Sequence, residues 1–289
     1  MFVSVVIPLF NKGNFIKKTV ESVINQSHDN FELIIVNDGS TDNSFSVVQE
    51  IDDPRITLIN QENQGVGAAR NTGVRNSKSE WVAFLDADDT WPPQFLERCI
   101  LLINDFPEAV LVGTNTITET GKTFLDRRGE NPLVVYDYCG ESLKQNRIFI
   151  SASSCIAKVE KIKISGWFLE AKSSGLDPDM WARLTQSGLM VFDRTILVNY
   201  NNYSSGNMLK NPNLLDKRLP YEAWRFSTRN FKIPKDRKVA FKKYVIWRVS
   251  IFIKLAKTRC GFWIALRIFL RNWRFLSKGA FYHLIFYSR

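Results

Sequence analysis

Several things are scarce in this 289-residue chain, and each scarcity excludes something. Its four cysteines, Cys99, Cys139, Cys155 and Cys260, form no CxxC and no close pair, which speaks against a disulfide framework or a structural zinc site and fits a reducing compartment. Glycine and proline are neither abundant nor periodic enough for a linker or a fibrous protein. No GxGxxG follows the first apolar run and no GxxxxGK[ST] occurs, so neither a dinucleotide-binding fingerprint nor a phosphate-binding loop of that type is supported. Phe2 to Phe10 reads as a strand with no basic region before it, so no cleavable leader is expected. No acidic residue follows Asp236.

That last absence divides the chain. The net charge is +10, yet residues 237–289 alone carry 13 Lys/Arg, leaving 26 basic against 29 acidic residues in residues 1–236. The same 53 residues hold 13 aromatics. A slightly acidic globular body therefore precedes a basic, aromatic tail. Such a body is a poor match for nucleic acid. With 45% apolar and 24% charged residues, the whole chain is long enough for one substantial core with a smaller appendage.

The first hundred residues alternate strand and helix patterns. Val3–Ile7, Glu32–Val36, Ile56–Ile59, Trp81–Leu85 and Ala109–Val112 read as strands. Helical spacing follows over Phe15–Ile24, to about Glu50, over Gly67–Arg75, and from Pro92 or Pro93 to about Asn104. Strands apolar on both faces and separated by helices predict a mainly parallel sheet covered on both sides. Ligands of such sheets bind outside the carboxyl ends of the strands. Three strand ends carry unusual polar residues: Pro8-Leu9-Phe10-Asn11, Asn37-Asp38-Gly39-Ser40 and Asp86-Ala87-Asp88-Asp89.

Three carboxylates at one strand end repel one another unless something positive lies between them. Asp89 or Thr90 capping the next helix would explain one acid, not three. Asp86 and Asp88 flank the small Ala87 and can turn toward a common point. Hard oxygen donors of this kind suit Mg²⁺ or Mn²⁺, ions that complete their shell with water and substrate phosphates.

The order and spacing of these pieces resemble the family 2 glycosyltransferases of the GT-A fold. The resemblance rests on residues 3–11, Glu21–Ser27, "ELIIVNDGSTDNS" at 32–44, "NQGVGAARNTG" at 63–73 and Trp81–Asp89, and it fades after about Tyr203. It implies an α/β, Rossmann-like sheet and an inverting transfer from a nucleotide-diphospho-sugar, with a UDP-sugar favoured. It also implies roles. Pro8, Leu9 and Phe10 would lie along base and ribose, and Asp38 would accept a hydrogen bond from the base. Asp86-Ala87-Asp88 matches the family's DXD motif, with Asp88 on the divalent ion and Asp86 on the ribose or the metal. Gly65 and Gly67 would allow backbone to approach the ligand or only shape a helix start. Arg70 would offset phosphate charge or lie on a solvated helix face.

Inverting transfer needs a base for the acceptor hydroxyl. His28 follows the first helix and His283 lies in the tail, so neither is a good candidate. The family places the base in a Gly-Glu-Asp-x-Asp segment. Here Gly175-Leu176-Asp177-Pro178-Asp179 corresponds, with Leu176 where the family has Glu, and Gly166-Trp167-Phe168 matches the lead-in. Asp177 falls on the base position, although Asp before Pro is also a good N-cap, and Asp179 is the reserve candidate. Tyr200-Asn201-Asn202-Tyr203 stands where some relatives carry a metal-binding histidine. Between the two halves, a turn at Glu119–Lys122 and a strand over Ser154–Ala157 are expected, and Tyr136, Tyr138 and Trp167 could stack on a sugar or serve as core.

The tail has no uncharged run near the ~20 residues of a membrane span. Its mixture of aromatics and cations predicts helices lying on an anionic membrane surface, the alternative being a packed helical cap. The expected layout is a donor half (1–115), an acceptor half with the base (116–203) and a helical extension (204–289). The expected activity is transfer to a hydroxyl of a glycan or polyprenyl-linked acceptor, by a peripheral enzyme on the cytoplasmic face of a bacterial inner membrane. A processive polysaccharide synthase is disfavoured by the missing spans and Gln-x-x-Arg-Trp motif. A sugar-phosphate nucleotidyltransferase would need a Gly-rich basic loop after the first strand. A catalytically inactive lipid-binding scaffold fits poorly with intact Asp86, Asp88 and Asp177.

Overall fold

The computed structural model describes residues 1–170, 176–201 and 233–260. The elements run β1 (Val3–Leu9), α1 (Ile16–Ile24), β2 (Phe31–Asp38), α2 (Ser44–Gln49), β3 (Ile56–Gln61), α3 (Val66–Asn76), β4 (Trp81–Phe84), α4 (Phe95–Asp105) and β5 (Ala109–Thr118). They continue with β6 (Leu133–Val135), α5 (Tyr138–Gln145), β7 (Cys155–Lys158), α6 (Val159–Ile164), α7 (Leu176–Leu184), β8 (Leu189–Tyr200) and α8 (Lys238–Cys260). The strands form one sheet in the order β3-β2-β1-β4-β7-β5-β8-β6. β3, β2, β1 and β4 are parallel neighbours, as are β5 and β8, whereas β7 and β6 run antiparallel to theirs.

The predicted parallel sheet covered on both faces is therefore present, and its alternation is visible in single residues. Val5, Ile7, Leu33 and Ile35 face α1 and α4 through Val20, Val23, Leu96 and Cys99. Val6, Ile34 and Val36 face the other way, toward Ala69 and Val74 of α3, and that core continues through Tyr138, Trp181, Phe241 and Tyr244.

β1 runs through Pro8 instead of stopping there. Leu85 N–H donates to Val6 C=O, and the even-numbered residues of β1 turn their backbone groups toward β4. Pairing with β4 ends at Val6 opposite Phe84, so the missing N–H of Pro8 falls beyond it. β5 is longer than expected because Gly113, Thr114, Asn115 and Thr116 continue it beside β8. Pro92 and Pro93 precede α4 without opening it, since the helix begins at Phe95.

The start of the tail settles one alternative over its own length. Phe241, Tyr244, Val245 and Arg248 on α8 are buried. Tyr244 lies 5.9 Å from the Tyr138 ring and donates to Pro178 C=O at 3.3 Å, and Trp247 donates to Asn146 Oδ1 at 2.9 Å. These turns are a packed cap on the domain. The remaining tail, 261–289, lies outside the described residues. No described helix is long and apolar enough to cross a membrane.

Candidate active site

The three polar strand ends meet on one rim, as sheet topology requires, and α3 and α7 complete the ring around them. Burial and charge converge on Arg70. It is almost wholly enclosed, donates through one terminal nitrogen to Asp86 Oδ1 at 2.7 Å and through the other to Asp177 Oδ1 at 2.5 Å. Burial works against its charge, but Asp177 and Asp86 hold the guanidinium protonated well above its ordinary value. Its Nε is buried without a hydrogen-bond partner. A residue of "GVGAAR" thus joins the acidic loop to a carboxylate 107 positions away.

Asp88 Oδ2 receives Lys12 Nζ at 2.6 Å, with both side chains mostly enclosed. Nothing in the local pattern singled out Lys12. Asp89 is not a cap for α4. It is fully buried, and accepts from Ser153 Oγ at 2.5 Å and from Asn201 N–H at 2.9 Å. Ser153 Oγ also accepts from Asp86 N–H at 3.1 Å, so one hydroxyl sets the spacing of two acids. Burial pushes the Asp86 carboxyl above the usual carboxylate range, with Asp177 and Asp88 adding to the rise against the pull of Arg70. Asp89 is pushed well up by burial, then by Asp86 and Asp88. Four carboxyl groups, Asp86, Asp88, Asp89 and Asp177, thus share two protein cations, Lys12 and Arg70.

On the nucleotide-side rim, Pro8 and Leu9 are buried in β1 while Phe10 stands half-exposed at its end. The Asp38 carboxylate is buried and accepts three hydrogen bonds from the protein. It accepts from Gln61 Nε2 at 2.7 Å and from the amides of Gln64 and Gly65 at 2.9 and 2.8 Å. Gly65 adopts φ 96°, a conformation that favours glycine, and so delivers its N–H to that carboxylate. Gly67 is close to protein backbone: a Cβ there would lie 2.1 Å from Leu169 C=O. Ala87 is buried between the two acids of the loop.

Asp177 lies in the first turn of α7, 22% exposed, and its Oδ2 accepts from Ala152 N–H at 3.3 Å. The reserve candidate Asp179 is instead buried against Arg183 at 2.6 Å, and Arg183 also binds the carbonyls of Ser165 and Trp167. That pair belongs to packing. Of the aromatics considered for sugar stacking, Tyr138 is core, Trp167 lies under Arg75 at 5.0 Å, and Tyr136 is exposed. A cleft of about 350 Å³ opens beside Asp88, lined by Phe15, Lys18, Glu119, Asn199 and Tyr200 among others. Of the expected Gly175–Asp179 and Tyr200–Tyr203 segments, Gly175, Asn202 and Tyr203 lie outside the described residues.

Among the described residues no three His, Cys, Asp or Glu side chains form a metal cage. An ion of the Mg²⁺ or Mn²⁺ type does not require one, because one or two carboxylates and a substrate's phosphates suffice. The donor set fits such an ion: hard oxygens, more carboxyl groups than protein cations, and one oxygen on each of Asp86 and Asp88 outside the ion pairs described.

An open, mostly parallel sheet with an acidic rim fed by a second-half carboxylate is the architecture of a GT-A glycosyltransferase core. The chain matches the model of glycosyl transferase family 2 over residues 4–163 and belongs to that family. It is 38% identical over 113 residues to glycosyltransferase GlyA of Streptococcus pneumoniae, a stretch covering 38% of this chain and 16% of GlyA. Among solved structures, S. aureus TarS 1-349 in complex with UDP-GlcNAc superposes with a TM-score of 0.63 at 15% identity, covering 95% of this chain and 92% of that one. The mannosyltransferase PcManGT from Pyrobaculum calidifontis, in complex with GDP-Man and Mn²⁺, gives 0.61 at 17% identity, covering 98% and 78%. At these identities the structural likenesses establish the fold.

Proposed function

We propose that this chain is an inverting glycosyltransferase that moves one sugar from a nucleotide-diphospho-sugar to a hydroxyl of a glycan or polyprenyl-linked acceptor. The observation that carries the reading is the Arg70 bridge, which places Asp177 beside the Asp86–Asp88 loop although the two are far apart in sequence. Donor and acceptor chemistry need such proximity: a leaving diphosphate on one side and a proton acceptor on the other.

Asp88, with Asp86, would hold a Mn²⁺ or Mg²⁺ ion, which when bound neutralises charge on the departing nucleoside diphosphate. Asp177 takes the proton of the attacking acceptor hydroxyl. Arg70 holds that carboxylate by one oxygen and contributes a fixed positive charge beneath the diphosphate site. Phe10 offers an exposed face to the base. Asp38 shapes the 61–65 loop through three accepted hydrogen bonds and keeps a further acceptor position on Oδ2 for a donor of the base. Relatives in complexes with UDP-GlcNAc and with GDP-Man and Mn²⁺ support a nucleotide-sugar donor and a divalent ion, and a UDP-sugar remains the favoured donor. The basic, aromatic composition of 237–289 supports peripheral attachment to an anionic surface, on the cytoplasmic face of a bacterial inner membrane, by the part of the tail beyond the packed turns of α8.

The test is Asp177→Asn assayed with UDP-, GDP- and dTDP-sugars in Mn²⁺. The amide is expected to leave nucleotide binding intact and abolish transfer, whereas normal transfer would remove Asp177 from the mechanism.

A further inference from the structure

Helix α3 does more than cover the sheet. Asn71 is fully buried, and its amide pairs with the backbone of one residue in both directions. Oδ1 accepts from Phe168 N–H at 2.9 Å, while Nδ2 donates to Phe168 C=O at 2.9 Å and to Glu170 Oε1 at 2.9 Å. Both protons and the carbonyl of the amide are used, a two-way pairing like that between strands. One turn on, Arg75 donates to Glu170 at 3.1 Å and covers the Trp167 ring. One turn back, Gly67 leaves just enough room for Leu169 C=O. Residues 67, 71 and 75 form a single i, i+4, i+8 stripe, and all of it grips Trp167–Glu170.

The gripped segment needs holding. Trp167 sits at φ 64°, directly after Gly166 at φ 85°, a conformation that costs a bulky residue about 1–3 kcal/mol and persists only when surroundings impose it. This segment leads into α7, which bears Asp177, and the same helix α3 reaches Asp177 from below through Arg70. α3 thus holds both Trp167–Glu170 and the carboxylate in the first turn of α7.

We infer that Asn71 is a positioning residue for Asp177, clamping Trp167–Glu170 so that the carboxylate meets Arg70 at the mouth of the site. The inference rests on the reading of Asp177 as the base. Its test is Asn71→Ala, compared with wild type and Asp177→Asn. Hydrogen exchange in peptides covering 166–170 is expected to quicken at least about tenfold, with β1, β2 and β4 unchanged. UDP affinity in MnCl₂, measured by calorimetry, should stay within about twofold. The kcat for the nucleotide sugar that wild type turns over, with UDP-GlcNAc as the first probe, should fall about 10²-fold at unchanged donor KM. Unchanged exchange would overturn the clamp. Looser exchange with full turnover, while Asp177→Asn is dead, would overturn the positioning role and leave the base reading intact. Full turnover by Asp177→Asn would remove the base reading itself, whatever the exchange shows. Should Asn71→Ala fail to fold, Glu170→Ala strips the exposed side of the same clamp, and the same changes are expected at smaller size; their absence would count against the inference.

Discussion

The two sides of the site are built differently. The proposed nucleotide side consists of strand ends adjacent in the sheet, β2, β1 and β4, whose loops carry Asp38, Phe10 and Asp86–Asp88 and are brought together chiefly by parallel pairing, with Lys12 on Asp88 as an added contact. The side proposed to carry the base is assembled by contacts between distant residues: Arg70 with Asp177, Asn71 with Phe168, Ser153 and Asn201 with Asp89. One side rests on strand pairing and the other on single long-range side-chain contacts, so the two should fail in different ways: the first in metal-linked nucleotide binding, the second in transfer.

The largest effects are expected from Asp88→Ala and Asp177→Asn, which separate the sides. Each should lower transfer by about 10²–10⁴-fold. Only Asp88→Ala should remove the response of UDP binding to Mn²⁺, and if Asp177→Asn removes it too, the two sides are not distinct. Next, Phe241→Ala or Tyr244→Ala should destabilise the domain by about 3–5 kcal/mol in urea, because both side chains are buried in its core. Termination after Cys260, by contrast, should leave the fold intact and release the protein from anionic liposomes. Arg70→Met removes the cation shared by both sides and should cost about 3 kcal/mol, since Asp86 and Asp177 are left unpaired.

The smallest effect concerns pH. The folded state raises Asp89 above its unfolded value, so the stabilising contribution is full below the ordinary carboxylate range and is lost as pH rises through the raised value. Metal-free protein should therefore gain melting temperature as pH falls toward the ordinary carboxylate range, and Asp89→Asn should flatten that slope. A slope unchanged in the variant would assign it to other groups.

The same contrast explains what could be read in advance. β1 to β4 and their polar ends were legible because apolar runs of strand length alternate with helical spacing. β8 has its signal in the run from Leu189 to Val198, rich in β-branched and aromatic residues, whereas the extension of β5 over Thr114–Thr116 has none, since polar residues there are buried by pairing with β8. Asp177 could be nominated only through resemblance. Lys12 against Asp88, Asn201 beneath Asp89 and Asn71 on Phe168 had no local signal, since each contact spans 76 to 112 positions. The tail's composition suggested a surface, and its first turns instead bury Phe241 and Tyr244, because amphipathic residues suit a protein core as well as a lipid boundary.

The most direct test titrates UDP into the wild-type chain and into Asp88→Ala, in Mn²⁺ and in EDTA, by calorimetry. The account predicts that Mn²⁺ tightens wild-type binding at least about tenfold, or about 1.4 kcal/mol, and leaves Asp88→Ala unaffected. Equal affinity in Mn²⁺ and EDTA for the wild type would contradict it.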